Sequence, residues 1–259
     1  MSLLTVSDLA IGFGGIRAVD GVSFAVQEGE IVSVIGPNGA GKTTLFNMIS
    51  GLYTPDQGSV ELAGQQVTAM APHRLAARGL SRTFQNLQIF PQLTVLENVM
   101  TGRHLQEKPS LFADLLSLPS SRRKTRETEA TARLLLDKVG LGQAAALEAG
   151  TLSYGGLKRL EIARALAAKP RLLLLDEPAA GCNAVETEEI DALIVAVAGE
   201  GISILLVEHD MKLVMKISSH IVVLDQGCKI AEGKPAEVSR NPKVIAAYLG
   251  SEAGDDAAA

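Results

Sequence analysis

Residues Gly36-Pro37-Asn38-Gly39-Ala40-Gly41-Lys42-Thr43 follow the pattern G-x-x-x-x-G-K-[ST], and the apolar segment Glu30-Ile31-Val32-Ser33-Val34-Ile35 leads straight into them. The glycines let the backbone turn tightly, so that successive N–H groups face one concavity, and a following helix adds the positive end of its dipole. That arrangement suits a polyphosphate: Lys42 reaches the outer phosphates and the Thr43 hydroxyl is offered to Mg²⁺. The stretch from Thr44 to Ile49 reads as the helix, so strand, loop and helix stand in the order that triphosphate binding needs. A glycine-rich turn that holds nothing is the plain alternative.

The other features of the chain narrow the possibilities further. It has 259 residues, 47% of them hydrophobic, enough to bury a full interior as one large α/β domain or a domain with an inserted subdomain. Its formal charge of −5 gives no basic field to hold nucleic acid, so no nucleic-acid partner is expected. No run approaches the roughly 20 apolar residues of a membrane-spanning helix, and MSLLTVSDLA lacks the basic and apolar regions of a signal peptide. Cys182 and Cys228 show no metal-ligand spacing and read as small apolar fillers in a reducing cytosol.

Short strand-like runs come first, at Leu3 to Val6, Val22 to Val26, the run into the phosphate loop, and Ser59 to Ala63, separated by Gly14-Gly15, Glu28-Gly29 and Pro55 to Gly58. From about Thr94 to Ala168 the pattern turns helical and includes a charged stretch, Ser121 to Glu127, which reads as a solvated helix face. Strand and helix then alternate: Leu172 to Leu175, a helix with Ile190, Leu193, Ile194 and Val197 on one face, Ile202 to Val207, and Ile221 to Leu224. Strands that are apolar throughout must be covered on both sides, which predicts a parallel sheet. The expected fold is an α/β phosphate-loop core with a parallel sheet, an N-terminal antiparallel β subdomain and an inserted helical subdomain. We expect one domain over 1–250, the helical part at about 86–168, and a disordered small and acidic tail at 251–259.

Candidate catalytic groups gather at the carboxyl ends of these strands, where ligands of parallel sheets sit. Leu172 to Leu175 end in Asp176-Glu177-Pro178. Asp176 is the natural outer-sphere partner of Mg²⁺, and Glu177 is placed to accept a proton from, or orient, a water attacking a γ-phosphate. The next strand delivers His209, able to hydrogen-bond the γ-phosphate and that water. Leu80 to Phe84 end in Gln85, an amide that can touch Mg²⁺ or water. Leu152-Ser153-Tyr154-Gly155-Gly156 opens a further helix and offers a hydroxyl, glycine amides and a dipole to an anion. His73, His104 and His220 read as structural.

The order of phosphate loop, Gln85, LSYGG, LLLLDEP and His209 resembles the nucleotide-binding subunit of ATP-binding cassette transporters over nearly the whole chain. In that family two such domains pair head to tail, each ATP lying between the phosphate loop of one and the signature serine and glycines of the other. The resemblance therefore implies that Gly36 to Thr43, with Thr44, hold one ATP while Ser153, Gly155 and Gly156 serve the partner's. It implies that Phe13 stacks on adenine, that Thr43, Gln85 and Asp176 hold Mg²⁺, and that Glu177, His209 and Gln85 act in hydrolysis. Arg82-Thr83-Phe84-Gln85-Asn86, Glu208-His209-Asp210-Met211 and the ending Ala247-Tyr248-Leu249-Gly250 are similar to the larger ATPase subunit of branched-chain amino-acid importers. The signature departs from the usual pattern at Tyr154, Gly156 and Leu157, and Asn183 stands where Asp is common.

The implied partners are a second ATPase subunit, identical or a sister, and membrane permease subunits gripped through the helical insertion near Leu87 to Leu96. A periplasmic or extracellular solute-binding protein acts through the permease. The implied location is peripheral, on the cytoplasmic face of the inner membrane. Three rival readings remain: a small-molecule kinase on the same loop, a soluble cassette ATPase of DNA repair or ribosomes, and a transporter of urea, amides or exported lipid.

Overall fold

The structure is a computed structural model and describes residues 2–104 and 119–255. In chain order the elements are β1 (Ser2–Phe13), β2 (Ile16–Gln27), β3 (Ile31–Ile35), α1 (Lys42–Ile49), β4 (Gln57–Leu62), β5 (Gln65–Gln66), α2 (Pro72–Ala77), β6 (Leu80–Arg82) and α3 (Val95–Thr101). They continue with α4 (Pro119–Lys138), α5 (Tyr154–Ala167), β7 (Leu172–Asp176), α6 (Ala184–Gly199), β8 (Ser203–Val207), α7 (Met211–Ile217), β9 (His220–Asp225), β10 (Cys228–Gly233), α8 (Pro235–Val238) and α9 (Pro242–Asp255).

Two sheets organise the chain. One is antiparallel in the order β2-β1-β4-β5, the other six-stranded in the order β10-β9-β3-β8-β7-β6. In the second, β9, β3, β8, β7 and β6 pair in parallel and β10 closes the edge antiparallel to β9. The α/β core, the N-terminal antiparallel layer and the helical insertion are thus all present. Strands β1 and β2 are each twelve residues long, well beyond the runs read from sequence, because Gly14-Gly15 joins them as a hairpin turn. β10 escaped the sequence reading because polar Lys229 and Glu232 interrupt it at a sheet edge.

The apolar strands divide their side chains between two interiors, as a period of two requires. Leu172 and Leu174 face one cluster with α1 and the antiparallel sheet, whereas Leu173 and Leu175 face another with α3, α4, α5 and α6. All four are fully buried, which is why the run carries no polar alternation. A third cluster seats α9 through Val244 and Tyr248 against Ile35, Val214 and Val223.

Residues 123–127 of the basic stretch are exposed on α4, as expected. Cys182 packs against the helical cluster, but Cys228 is exposed, so the filler reading holds for the first cysteine alone. The final helix runs to Asp255 and includes part of the stretch read as a tail, while 256–259 lie outside the described residues. Among the described residues no helix is long and apolar enough to cross a membrane.

Candidate nucleotide site

β3 ends at Ile35, and residues 36–41 form the loop that leads into α1, whose first residue is Lys42. Gly41, the residue ahead of the helix, has φ 96°, and a Cβ there would meet the Ala18 carbonyl oxygen at 2.5 Å, so only glycine fits. Lys42 Nζ donates to the carbonyls of Gly36 at 2.7 Å and Pro37 at 2.9 Å. Burial pushes the Lys42 ammonium's pKa down, and the nearby carboxylates of Glu177 and Asp176 oppose this.

A cleft of about 670 Å³ opens over this loop. Asn38, Gly39, Ala40, Gly41, Lys42, Thr43 and Thr44 line one side, and Gln85, Glu177 and His209 reach it from the ends of β6, β7 and β8. These last three residues, far apart in the chain, form one cluster. His209 Nε2 lies 2.5 Å from Glu177 Oε1, and Gln85 Nε2 donates to Glu177 Oε2 at 3.2 Å. A carboxylate can only accept, so this contact is a hydrogen bond when the imidazole carries its hydrogen on Nε2. Glu177 itself adopts φ 49°, a left-handed conformation that costs a non-glycine residue about 1–3 kcal/mol and is typical of functional sites.

Asp176 is held differently. It is 3% exposed, and its Oδ2 accepts from Arg82 Nη2 at 2.9 Å. The same guanidinium donates to Asn47 Oδ1 at 2.8 Å and Ser50 Oγ at 2.7 Å, and lies over the rings of Phe46 and Phe84. Burial pushes the Asp176 carboxyl up, and Arg82 pulls it back. Thr43, Gln85 and Asp176 offer a hydroxyl, an amide and a carboxylate oxygen, the hard donors that suit Mg²⁺.

Ser153, Gly155 and Gly156 lie at the start of α5 and do not line this cleft. Ser153 caps the helix, its Oγ accepting from the Gly156 N–H at 3.2 Å. The carboxylate of Glu186, in the first turn of α6, sits on this start: Oε1 accepts from Ser153 Oγ at 2.7 Å and from the Gly155 N–H at 3.2 Å. Hydrogen bonds from Ser153 foremost, then from the Asn183 N–H and the Gly155 N–H, hold the Glu186 carboxyl below its ordinary value. Asn183 caps α6 by accepting from the Glu186 N–H at 3.0 Å, as an aspartate there would. Tyr154 lies beside Gly181 and beneath Lys158 Nζ.

Phe13 ends β1, half exposed and edge-on to Tyr53 at 5.5 Å, and it too is outside the cleft lining, where Ile16 and Arg17 stand instead. Three residues were missed from sequence: Arg82, Glu186 and Lys158. Buried Lys158 approaches the carbonyls of Gln85 and Glu177 at 3.4 and 3.5 Å, tying α5 to the cluster. Only a charge on the helix face that also carries Ile162 and Ala165 hinted at Lys158, and Glu161 shares that buried face.

A phosphate loop on a parallel sheet, with a carboxylate, an imidazole and an amide converging above it, defines a nucleoside-triphosphate-binding domain of the phosphate-loop class. Within that class, the family model for the ABC transporter matches residues 19–180, and that for the branched-chain amino acid ATP-binding cassette transporter matches residues 228–254. The chain is 47% identical to the high-affinity branched-chain amino acid transport ATP-binding protein BraF of Pseudomonas aeruginosa, over 96% of this chain and 98% of that one. The fold superposes on the ADP conformation of MJ1267, an ATP-binding cassette of an ABC transporter, with TM-score 0.85 and 33% identity over 96% and 99% of the two chains. A dimeric post-hydrolysis state of the cassette MJ0796, bound to ADP and Pi, matches with TM-score 0.75 and 26% identity over 90% and 98%. The chain belongs to the ATP-binding cassette transporter family and is one of its ATPases.

Proposed function

We propose that the protein is the ATP-hydrolysing subunit that powers an importer of branched-chain amino acids. The name of the Pseudomonas relative and the match over residues 228–254 support that solute class. One observation carries the mechanism: the Glu177 carboxylate is fixed between His209 and Gln85 over the phosphate loop. Phosphates rest on the loop amides and Lys42, which exchanges its two carbonyl partners for them. Glu177 then accepts a proton from the attacking water, and His209 steadies the water and the γ-phosphate. Thr43 and Gln85, with Asp176 behind them, would hold Mg²⁺, which would supply charge neutralisation at the phosphates.

The signature donors Ser153 and Gly155 stand outside this chain's own cleft, and we assign them to the ATP of a second ATPase subunit, identical or a sister. That phosphate displaces the Glu186 carboxylate from them. Phe13, paired with Tyr53, offers an aromatic surface to adenine.

The permease docks at a groove of about 480 Å³ between α5 and the end of β6, lined by Leu52, Arg82, Phe84, Phe90 and Arg164. Within Leu87 to Leu96, Phe90 is 51% exposed and faces this groove, whereas Val95 is fully buried, so that segment serves both surface and core. A solute-binding protein acts through the permease, and the subunit works at the cytoplasmic face of the membrane.

The test is Glu177→Gln. It keeps ATP binding, lowers turnover roughly 10²–10⁴-fold, and traps an ATP-dependent dimer; unchanged turnover would remove Glu177 from the role of base.

A further inference from the structure

Glu208 is a buried carboxylate that the mechanism above leaves unused. It follows β8, is 5% exposed, and is not part of the cleft lining. Its two oxygens bridge two loops: Oε1 accepts from the Ala179 N–H at 3.2 Å, and Oε2 from the His209 N–H at 3.1 Å.

These are the backbones that carry the two ends of the Glu177–His209 contact. Glu177 is the residue in the left-handed conformation, and such a conformation persists only when its surroundings hold it. On its amino side the Glu177 N–H donates to the Val207 carbonyl at 2.9 Å. On its carboxyl side the Glu177 carbonyl accepts from the Ala180 N–H at 3.2 Å, a bond within the same turn, and Pro178 has no N–H to offer, so Ala179 carries the first amide that can be tied to another strand's loop, and Glu208 holds it.

We infer that Glu208 is the positioning residue for the catalytic pair: its carboxylate clamps the loop after Glu177 to the backbone of His209 and so keeps Glu177 strained and aimed. This rests on Glu177 being the base, as proposed above. Freed of the clamp, Glu177 relaxes towards the right-handed region and its carboxylate swings away from His209 and Gln85. Both bonds need an acceptor, which the ionised carboxyl supplies twice and an amide only once. Burial and the Glu177 charge push the Glu208 carboxyl up, while the two N–H groups pull it down.

The experiment compares wild type, Glu208→Gln, Glu177→Gln and the double variant, measuring Mg-ATP affinity and saturated turnover on the full chain. Glu208→Gln lowers kcat roughly 10²-fold, with nucleotide affinity held within about twofold. In the Glu177→Gln background it lowers kcat no further, because the base that the clamp aims is already gone. Glu208→Asp, which keeps the charge but is one methylene short of bridging both amides, behaves alike and serves if the glutamine variant fails to fold. An unchanged kcat in either soluble variant, or a loss that multiplies in the double variant, overturns the inference. If Glu177→Gln alone leaves turnover intact, it is instead the reading of Glu177 as base that falls.

Discussion

At the scale of single residues, the site depends on charges placed where water does not reach. Arg82 and Asp176 are a buried pair, with side chains 6% and 3% exposed, and the guanidinium is further tied to Asn47 and Ser50 at the end of α1. Removing one partner of such a pair strands the other, which costs far more than the pair's net worth. Arg82→Met should therefore destabilise the fold by roughly 3–5 kcal/mol in urea unfolding. Adding Asp176→Asn to that variant should recover part of the loss. If the double variant is no more stable than the single, Arg82 contributes through its packing on Phe46 and Phe84 instead. None of this was legible in the sequence, because the two residues are 94 positions apart and meet only once β6 and β7 pair. Glu177, by contrast, was legible: two adjacent carboxylates at the end of an all-leucine strand have few structural uses.

At the scale of elements, legibility followed burial on both faces. β3, β7 and β8 were readable because every residue in them is buried, and their runs contain almost nothing polar. The helix α6 was read from Ile190, Leu193, Ile194 and Val197, all of which face the core. The sequence did not reveal that this helix also buries Asp191, 7% exposed, with Oδ1 lacking a hydrogen-bond partner. Burial raises the Asp191 carboxyl, and Lys216 on α7 pulls it down only in part. A carboxyl raised in the folded state favours folding fully only below its unfolded value of about 3.9, and that contribution is lost as pH rises through the folded value. Asp191→Asn should thus be the more stable protein at neutral pH, by on the order of 1 kcal/mol, with the gap closing as pH falls towards 4. Thermal midpoints measured across that range decide it; a gap that widens in acid contradicts the assignment.

For the whole molecule, the main feature is separation. The phosphate loop lies at the end of β3 between the two sheets, while Ser153 and Gly155 open α5 in the helical part and contribute nothing to the cleft over that loop. Their donors are meanwhile satisfied by Glu186 of the same chain. The groove assigned to the permease reaches the site through one side chain: Arg82 lines the groove and its far end holds Asp176. The sequence disclosed the phosphate loop and the LSYGG stretch as motifs but not that the fold keeps the second out of the cleft over the first.

If each ATP is completed by a second subunit, turnover per chain depends on protein concentration, which is measured for wild type and for Ser153→Arg. Wild-type turnover per chain should rise with concentration, and the arginine variant should lose that rise while still binding ATP. Turnover that is independent of concentration and unaffected by Ser153→Arg would contradict completion by a second subunit.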